Sequence, residues 1–478
     1  MPQASPVVVW FRGDLRLADN PALAAACATG APLILVYVLD ETAPGRPAGG
    51  ASRWWLDKSL KSLASDIAAL GGRLILRRGS GPQVVRSLAS ETGASAVMFN
   101  RIFEQPSVEL EDRLCEELSL LDIDARRFNG SLLVDPDSLG ESAAASAART
   151  FSAFWRKAAP LAEGHPPLPR PSALRPSEVD LASETLESWR LLPTHPDWSG
   201  GFSDWTPGEA GAAARLASFL HGGLGRYLAV RNRPDLDATS RLSPHLAFGE
   251  ISPRQIWAGV REAQGRGAPA SEADGFLREL GWRDFNHHLL WRLPQMTSEN
   301  LNSKFEAMPW TADPAALKAW RTGRTGYPII DAAMRQLWVS GWMHNRLRMV
   351  VASFLTKDLL IDWRVGEAWF CDTLVDANPA NNAGGWQWTA GTGVDSAPYF
   401  RIFNPTLQAA RFDPDGVFVR RWLPELAGLP AAIIHSPWTA DAAVLHCAGV
   451  KLGETYPHPI VDHAVARTRA LALFKELG

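Results

Sequence analysis

Between Val7 and about residue 135 the chain alternates short, wholly apolar runs with longer amphipathic stretches. The runs are VVVWF, LILVYVLD, RLILRRG and ASAVMFN. Short runs rich in Val, Ile and aromatic residues read as strands buried on both faces, and helical patterns between them imply βαβ crossovers around a mainly parallel sheet. The turn after the first run, RGDLRLADNPAL, carries a helix-capping signal in Asp19 or Asn20 ahead of Pro21. It holds neither GxGxxG nor GxxxxGK[ST], so no phosphate-cradling loop is expected there.

A proline-rich stretch, EGHPPLPRPSALRPSEVD at 163–180, with TPG at 206–208, interrupts this pattern and reads as an extended connector. From about residue 209 the β signal fades. Long helical patterns follow: GEAGAAARLASFLHGGL, GFLRELGWRDFNHHLLW and IDAAMRQLWVSGWMHNRLRMVVASFLTKDLL. The expected organisation is a Rossmann-like α/β domain with a parallel sheet over 1–135, an interdomain linker over 136–208 and an all-α domain over 209–478.

Composition narrows this further. At 478 residues the chain is long enough for two folding units, and 46% hydrophobic with 21% charged residues marks a folded protein. The net charge of -3 gives no global attraction to a polyanion, so any nucleic-acid contact has to come from a local basic surface. Twenty Trp against five Tyr is unusual; most serve a core, and stacking on flat ligands is open to some of them. Cys27, Cys115, Cys371 and Cys447 are scattered, with no CxxC and no zinc or iron–sulfur spacing, so free thiols and no metal are expected. No apolar stretch is long enough to span a bilayer, and Val7–Phe11 is too short for a secretion signal, so a cytoplasmic protein without a membrane partner is expected.

Three stretches concentrate chemistry. Glu279, Trp282, Arg283 and Asn286 fall at i, i+3, i+4 and i+7 and share one helical face. Spacing alone leaves open a solvated face with a Glu279–Arg283 ion pair. Asn345 and Met349 lie four apart in GWMHNRLRM, and a mixed helix with Met349 in the core is the alternative there. His344 and the pair His287-His288 lack a second ligand cluster and read as ordinary buried or surface histidines. In DANPANNAGGWQWTAGTG, Asp376 to Gly393, glycines permit close backbone approach to a planar ligand and amides offer donors and acceptors to its edge. A tight loop would read the same.

These stretches, with TSRLSP at 239–244, TGYPIIDAAMRQL at 325–337, the opening VVVWFRGDLRLADNPAL and the later YFRIFNPTLQAARFDPDG, resemble the cryptochrome/photolyase family essentially end to end. The resemblance implies an antenna-pigment domain followed by a helical FAD domain, and light-driven repair of cyclobutane pyrimidine dimers in ultraviolet-damaged DNA by a monomer. Tyr227, Thr239, Ser240, Arg241, Leu242 and Ser243 match positions that hold the FAD phosphates and ribitol. Phe276 stands where a Trp is frequent. Arg283, Arg348, Asp376 and Asn382 match residues around the isoalloxazine and the folded cofactor, Asn382 at the position facing flavin N5. The family's Asp-x-Asp reads Asp376-Ala377-Asn378 here, so Asn378 replaces the second carboxylate.

On the substrate side, Glu279, Trp282, Asn345, Met349 and Trp388 match the pocket for a flipped-out dimer. Arg231, Arg346, Arg401 and Arg411 match contacts to the DNA backbone, and Trp310, Trp363 and Trp386 match an electron relay to flavin. Six-four photoproduct repair uses a histidine pair where this chain has Asn345 and Met349. A cryptochrome photoreceptor is the other rival, against which stand the dimer-pocket residues and the absence of a long tail after PIVDH. For the antenna, the loop from Arg46 to Trp55 and Asn100, Arg101 and Glu104 match family patterns, while Pro106 and Ser107 replace usual folate contacts. The expectation is 5,10-methenyltetrahydrofolate in a modified site, with 8-hydroxy-5-deazaflavin as the alternative.

Overall fold

The four apolar runs form β1 (Val7–Phe11), β2 (Leu33–Leu39), β3 (Leu74–Arg78) and β4 (Ala96–Asn100). α1 (Pro21–Ala28), α2 (Gly50–Ala69) and α3 (Gly81–Glu91) connect them. A fifth strand follows α4 (Gln105–Ser119): β5 (Asp124–Phe128), sequence DARRF, which the apolar pattern did not announce. The sheet order is β3-β2-β1-β4-β5, and every pairing is parallel. β5 has a single neighbour, and an edge strand tolerates charge, which also blocks unwanted pairing. Its arginines are held by Asp124 and Asp112.

This computed structural model describes residues 5–42, 45–139 and 150–477; residues 140–149 of the expected linker and the ends of the expected domains at 1–4 and 478 lie outside the described residues. The chain falls into two compact units. The first comprises Met1–Asp197, Trp205–Gly225 and Ser240–Pro294, and the second Trp198–Asp204, Arg226–Thr239 and Gln295–Gly478.

In the first unit the sheet is covered on both faces, as a parallel sheet with crossover helices has to be. Val7, Val9 and Phe11 pack with Leu60, Leu63 and Ile67 on one side, and Val8 and Trp10 with Val85, Leu88, Leu114 and Leu118 on the other. Each such side chain contributes about 1.5–3 kcal/mol when fully buried. Asn20, not Asp19, caps α1, accepting from the Leu23 N–H at 3.2 Å ahead of Pro21. Asp19 instead accepts from the Leu168 N–H at 2.9 Å and the Ser252 hydroxyl at 2.5 Å, tying the connector and a later helix start to the β1 turn.

The same unit carries α5 (Phe151–Ala162), α6 (Glu209–Ser218), α7 (Ser243–Ala247) and α8 (Ala270–Arg292). α5 lies so close to α8 that a Cβ at Gly281 would fall 2.3 Å from the Trp155 ring. Asp284 of α8 accepts from the N–H groups of Leu133 and Val134, at 2.7 and 3.2 Å.

The second unit is helical: α9 (Pro328–Ser340), α10 (Asn345–Ser353), α11 (Trp363–Thr373) and α12 (Pro379–Ala390) surround a core of Trp320, Ile330, Leu337, Val350, Trp363 and Trp386. The long helical pattern over 330–360 is divided rather than continuous. Gly341 ends α9 at φ 66°, the left-handed conformation that glycine adopts without a Cβ penalty. His344 then caps α10, its Nδ1 accepting from the Arg346 N–H at 3.1 Å. Among the described residues no helix is long and apolar enough to cross a membrane.

Candidate functional site

On α8, Glu279, Trp282, Arg283 and Asn286 are all half-buried, so the polar face is neither core nor fully solvated. The Trp282 indole stacks on Phe151 of α5, with centroids 4.0 Å apart and planes 7° from parallel, and meets Phe285 edge-on at 5.7 Å. Arg283 does not pair with Glu279. Its Nη1 donates to the Ser131 carbonyl at 2.8 Å and lies 3.3 Å from Asp284, and burial lowers its pKa. Burial raises the Asp284 carboxyl to about 6, against the opposing pull of Arg283 and of the Leu133 and Val134 N–H groups. His287 and His288 are pushed down by burial, His288 to about 4, which keeps both neutral at pH 7. Phe276, one turn before Glu279, is buried against Phe219 at 4.5 Å.

The hydroxyl-rich segment is built differently. Arg241 holds φ 49°, the Ser240 hydroxyl accepts from the Leu242 N–H at 3.4 Å, Leu242 is buried, and Ser243 opens α7. Thr239 precedes them, half-buried, at the end of a stretch assigned to the second unit. α7 is anchored through His245, whose Nδ1 lies 2.5 Å from Glu250 Oε2 while Glu250 Oε1 accepts from Trp55 Nε1 at 2.9 Å. A buried carboxylate with both oxygens engaged fixes the turn that follows Ser243.

In the second unit, α10 presents Asn345 exposed and Met349 half-buried on one face, while Leu347 and Val350 are the ones in the core. Arg346 donates to Asn232 Oδ1 at 2.8 Å and lies over the Phe412 ring at 4.7 Å, with Arg411 over the same ring at 5.2 Å. Burial lowers the Arg346 pKa, and the positive charges of Arg231 and Arg411 lower it further, so three guanidiniums converge with mutual repulsion. Arg231 also lies over the ring of buried Tyr227 at 5.2 Å. Arg401 sits exposed on a separate loop, its carbonyl accepting from the buried Lys357 at 3.3 Å.

Arg348 Nη2 donates to Asp376 Oδ2 at 2.7 Å, whereas buried Asp376 Oδ1 has no partner among the described residues. Asn382 Nδ2 donates to Glu367, to the carbonyl at 3.0 Å and to Oε1 at 2.8 Å. Asn378 caps α12, its side-chain oxygen accepting from the Asn381 N–H at 3.1 Å, a task that Asn and Asp perform about equally well. Trp388 is half-buried, Trp386 and Trp363 are buried, and Trp310 is half-buried against a cluster with Phe305 and Tyr399. Trp363 Nε1 donates to Asn300 Oδ1 at 2.9 Å, and Trp386 packs edge-on to Phe370 at 5.0 Å.

Residues 7–172 match the family described as DNA photolyase, and residues 276–476 match the FAD binding domain of DNA photolyase. Deoxyribodipyrimidine photo-lyase of Agrobacterium fabrum is 48% identical, over 99% of this chain and 98% of its own. The chain belongs to the photolyase/cryptochrome family. The crystal structure of a bacterial class III photolyase from Agrobacterium tumefaciens superposes at TM-score 0.95 with 47% identity, covering 100% of this chain and 98% of that one. Cryptochrome-1 of Arabidopsis thaliana is 38% identical, over 96% of this chain and 69% of its own.

The photolyase FAD domain sets a test for the residues in place. Asp376 Oδ1 is a buried acceptor with no donor among the described residues, which is costly unless a ligand supplies one. FAD carries N–H and ribityl O–H donors of that kind, so the donor set fits the group. Sequence reasoning missed Glu367, Asp284 and Phe151, each of which holds a candidate residue or its chain neighbour in place. A lone acid or Phe carries no spacing signal, because its partner lies 15, 151 or 131 positions away. Of the residues read as antenna contacts, Asn100 already donates to Asp14 Oδ2 at 2.6 Å and to Asn20 Oδ1 at 2.8 Å, and Arg101 pairs with Asp137 at 2.7 Å. Among the described residues no His, Cys, Asp and Glu groups are set to hold a metal ion.

Proposed function

We propose that this photolyase-family protein repairs cyclobutane pyrimidine dimers in DNA with light absorbed by FAD. What supports the reading most directly is Trp282, a half-buried indole held flat beside Glu279 on α8, a surface suited to stacking on an unpaired base. When bound, photoexcited reduced FAD supplies the electron that opens the cyclobutane ring and takes it back afterwards. Tyr227, Thr239 to Ser243, Phe276, Arg283, Arg348, Asp376, Asn378 and Asn382 hold it on this reading, Asp376 by an acceptor oxygen already braced through Arg348.

The chain's own work is to bind, flip and orient. Flipping the dimer costs a few kcal/mol. Stacking returns about 1–3 kcal/mol for each ring, so Trp282 and Trp388 together offset it. Glu279 and Asn345 hydrogen-bond the polar edges of the dimer, and Met349 supplies apolar contact. Arg231, Arg346 and Arg411, converging despite repulsion, suit an anionic phosphate between them, and Arg401 adds a contact from its own loop. Trp386, Trp363 and Trp310 are proposed as the electron relay, with half-buried Trp310 as its outer end and buried Trp363 and Trp386 as its inner members.

The antenna pigment is assigned to 5,10-methenyltetrahydrofolate, with 8-hydroxy-5-deazaflavin as the second candidate. The 38% identity to a plant cryptochrome favours photoreception as the rival function. One experiment separates them: the purified protein is reduced, illuminated with blue light and given an oligonucleotide carrying one cyclobutane dimer or one six-four product. Loss of the cyclobutane dimer alone is expected, with FAD released on denaturation. No light-dependent repair by a flavin-loaded protein would leave the photoreceptor reading in its place.

A further inference from the structure

We infer that Phe151 is a positioning residue for lesion recognition: it closes one face of Trp282 and holds the indole plane so that damaged bases stack on the opposite face. The inference rests on the reading that Trp282 meets the dimer. Phe151 lies near-parallel to two indoles, to Trp282 at 4.0 Å and 7° and, further off, to Trp155 at 5.9 Å and 15°. Trp155 is fixed by its close approach to Gly281, and Phe151 by the Thr150 cap of α5, whose hydroxyl accepts from the Ala153 N–H at 3.3 Å.

Phe285 braces the Trp282 ring edge-on, at 80° between planes, so the indole is held from its face and from its side. The Arg278 guanidinium carbon stands over the Phe151 ring, 5.2 Å from its centroid, so the phenyl ring is held by a cation as well as by the indole. Phe151 itself is 2% exposed and Trp282 half-buried, so Trp282 is the ring of the pair that can still take a stacking partner. A flat ring fixed before binding does not have to be ordered during it. Ordering a side chain costs enough to weaken binding roughly three- to tenfold, which sets the expected effect.

The test uses the full-length, flavin-loaded protein and compares affinity for a duplex with one cyclobutane dimer against the same duplex undamaged. Phe151→Leu keeps apolar volume but removes the flat face; it is expected to lower the damaged-to-undamaged affinity ratio roughly three- to tenfold. Affinity for undamaged DNA and flavin content stay at the parent's level, and Phe151→Tyr, which restores a ring, restores the ratio. Phe151→Met gives the same reading if leucine disturbs folding. An unchanged ratio in the leucine and methionine variants, while Trp282→Ala lowers it, overturns the inference but leaves the proposed function standing. An equal loss on both DNAs, or a tyrosine variant no better than leucine, also overturns it by showing a merely structural role. If Trp282→Ala leaves the ratio unchanged, the reading of Trp282 itself fails, and the inference with it.

Discussion

The amide nitrogen of Asn382 donates to two oxygens of one residue, the Glu367 carbonyl at 3.0 Å and its Oε1 at 2.8 Å. Only the nitrogen end of an amide can face two acceptors, so Glu367 decides which way Asn382 points and directs its oxygen elsewhere. Asn382→Asp would bring two carboxylates into contact, with Glu367 buried, and one of them would have to hold a proton. A carboxyl whose folded pKa is raised contributes stability below its ordinary range and loses it as pH rises through the raised value. The aspartate variant is therefore expected to lose thermal stability relative to the parent as pH rises through and above the ordinary carboxylate range, and Glu367→Gln in the same background to restore it. A constant difference across that range would show that the two side chains do not sense each other.

Asp284 offers a second pH signature. Its carboxyl is raised from 3.8 to about 6 by burial, so between those values the folded protein holds a proton that the unfolded chain has released. The contribution of this group to stability is fully present below the unfolded value and is lost as pH rises through about 6. Asp284→Asn is expected to flatten the decline in melting temperature over this window. The variant is less stable overall, since Arg283 keeps its burial and loses its acid. A parent-like slope in the asparagine variant would assign the pH dependence to another group.

How much of this was legible beforehand follows from where the signal lies. The three inner strands, β1, β2 and β4, are apolar on both faces and announced themselves, as did the apolar start of edge strand β3, whereas β5 carries Asp124, Arg126 and Arg127 at a solvent edge and looks like a loop. The α9–α10 break was hidden because Trp342 and Met343 continue the apolar pattern across it, and only Gly341 marks the turn. Helical spacing correctly placed Glu279, Trp282 and Arg283 on one face but suggested the wrong partner for Arg283, because Ser131 lies 152 residues away. The resemblance, not periodicity, singled out Trp363 and Trp386, whose deep burial is what any core Trp would show.

Arg346 is held by Asn232 and crowded by Arg231 and Arg411, an arrangement that a bound phosphate would relieve. Arg346→Ala and Arg401→Ala are each expected to weaken binding of damaged and undamaged duplex alike and to reduce the slope of log affinity against log salt by about one. Titration of both DNAs at several salt concentrations measures this. Unchanged slopes would remove these arginines from the DNA interface.

Glu279 lies one turn before Trp282 on α8, and the proposed function has it hydrogen-bond the dimer rather than the flavin. Glu279→Gln keeps shape and an acceptor, whereas Glu279→Ala leaves a polar edge of the lesion unpaired at a cost of about 1–3 kcal/mol. Flavin is expected to stay bound in both variants, because the groups assigned to FAD include Arg348 and Asp376, which brace each other without it. Repair per absorbed photon should then fall more in alanine than in glutamine, and should do so with DNA saturating, so that lost affinity cannot account for the difference. The six-four product serves as the control that neither parent nor variant repairs. If Glu279→Ala repairs cyclobutane dimers with the parent's quantum yield, Glu279 has no role in the chemistry, and its half-buried place on α8 reflects only the packing of that face.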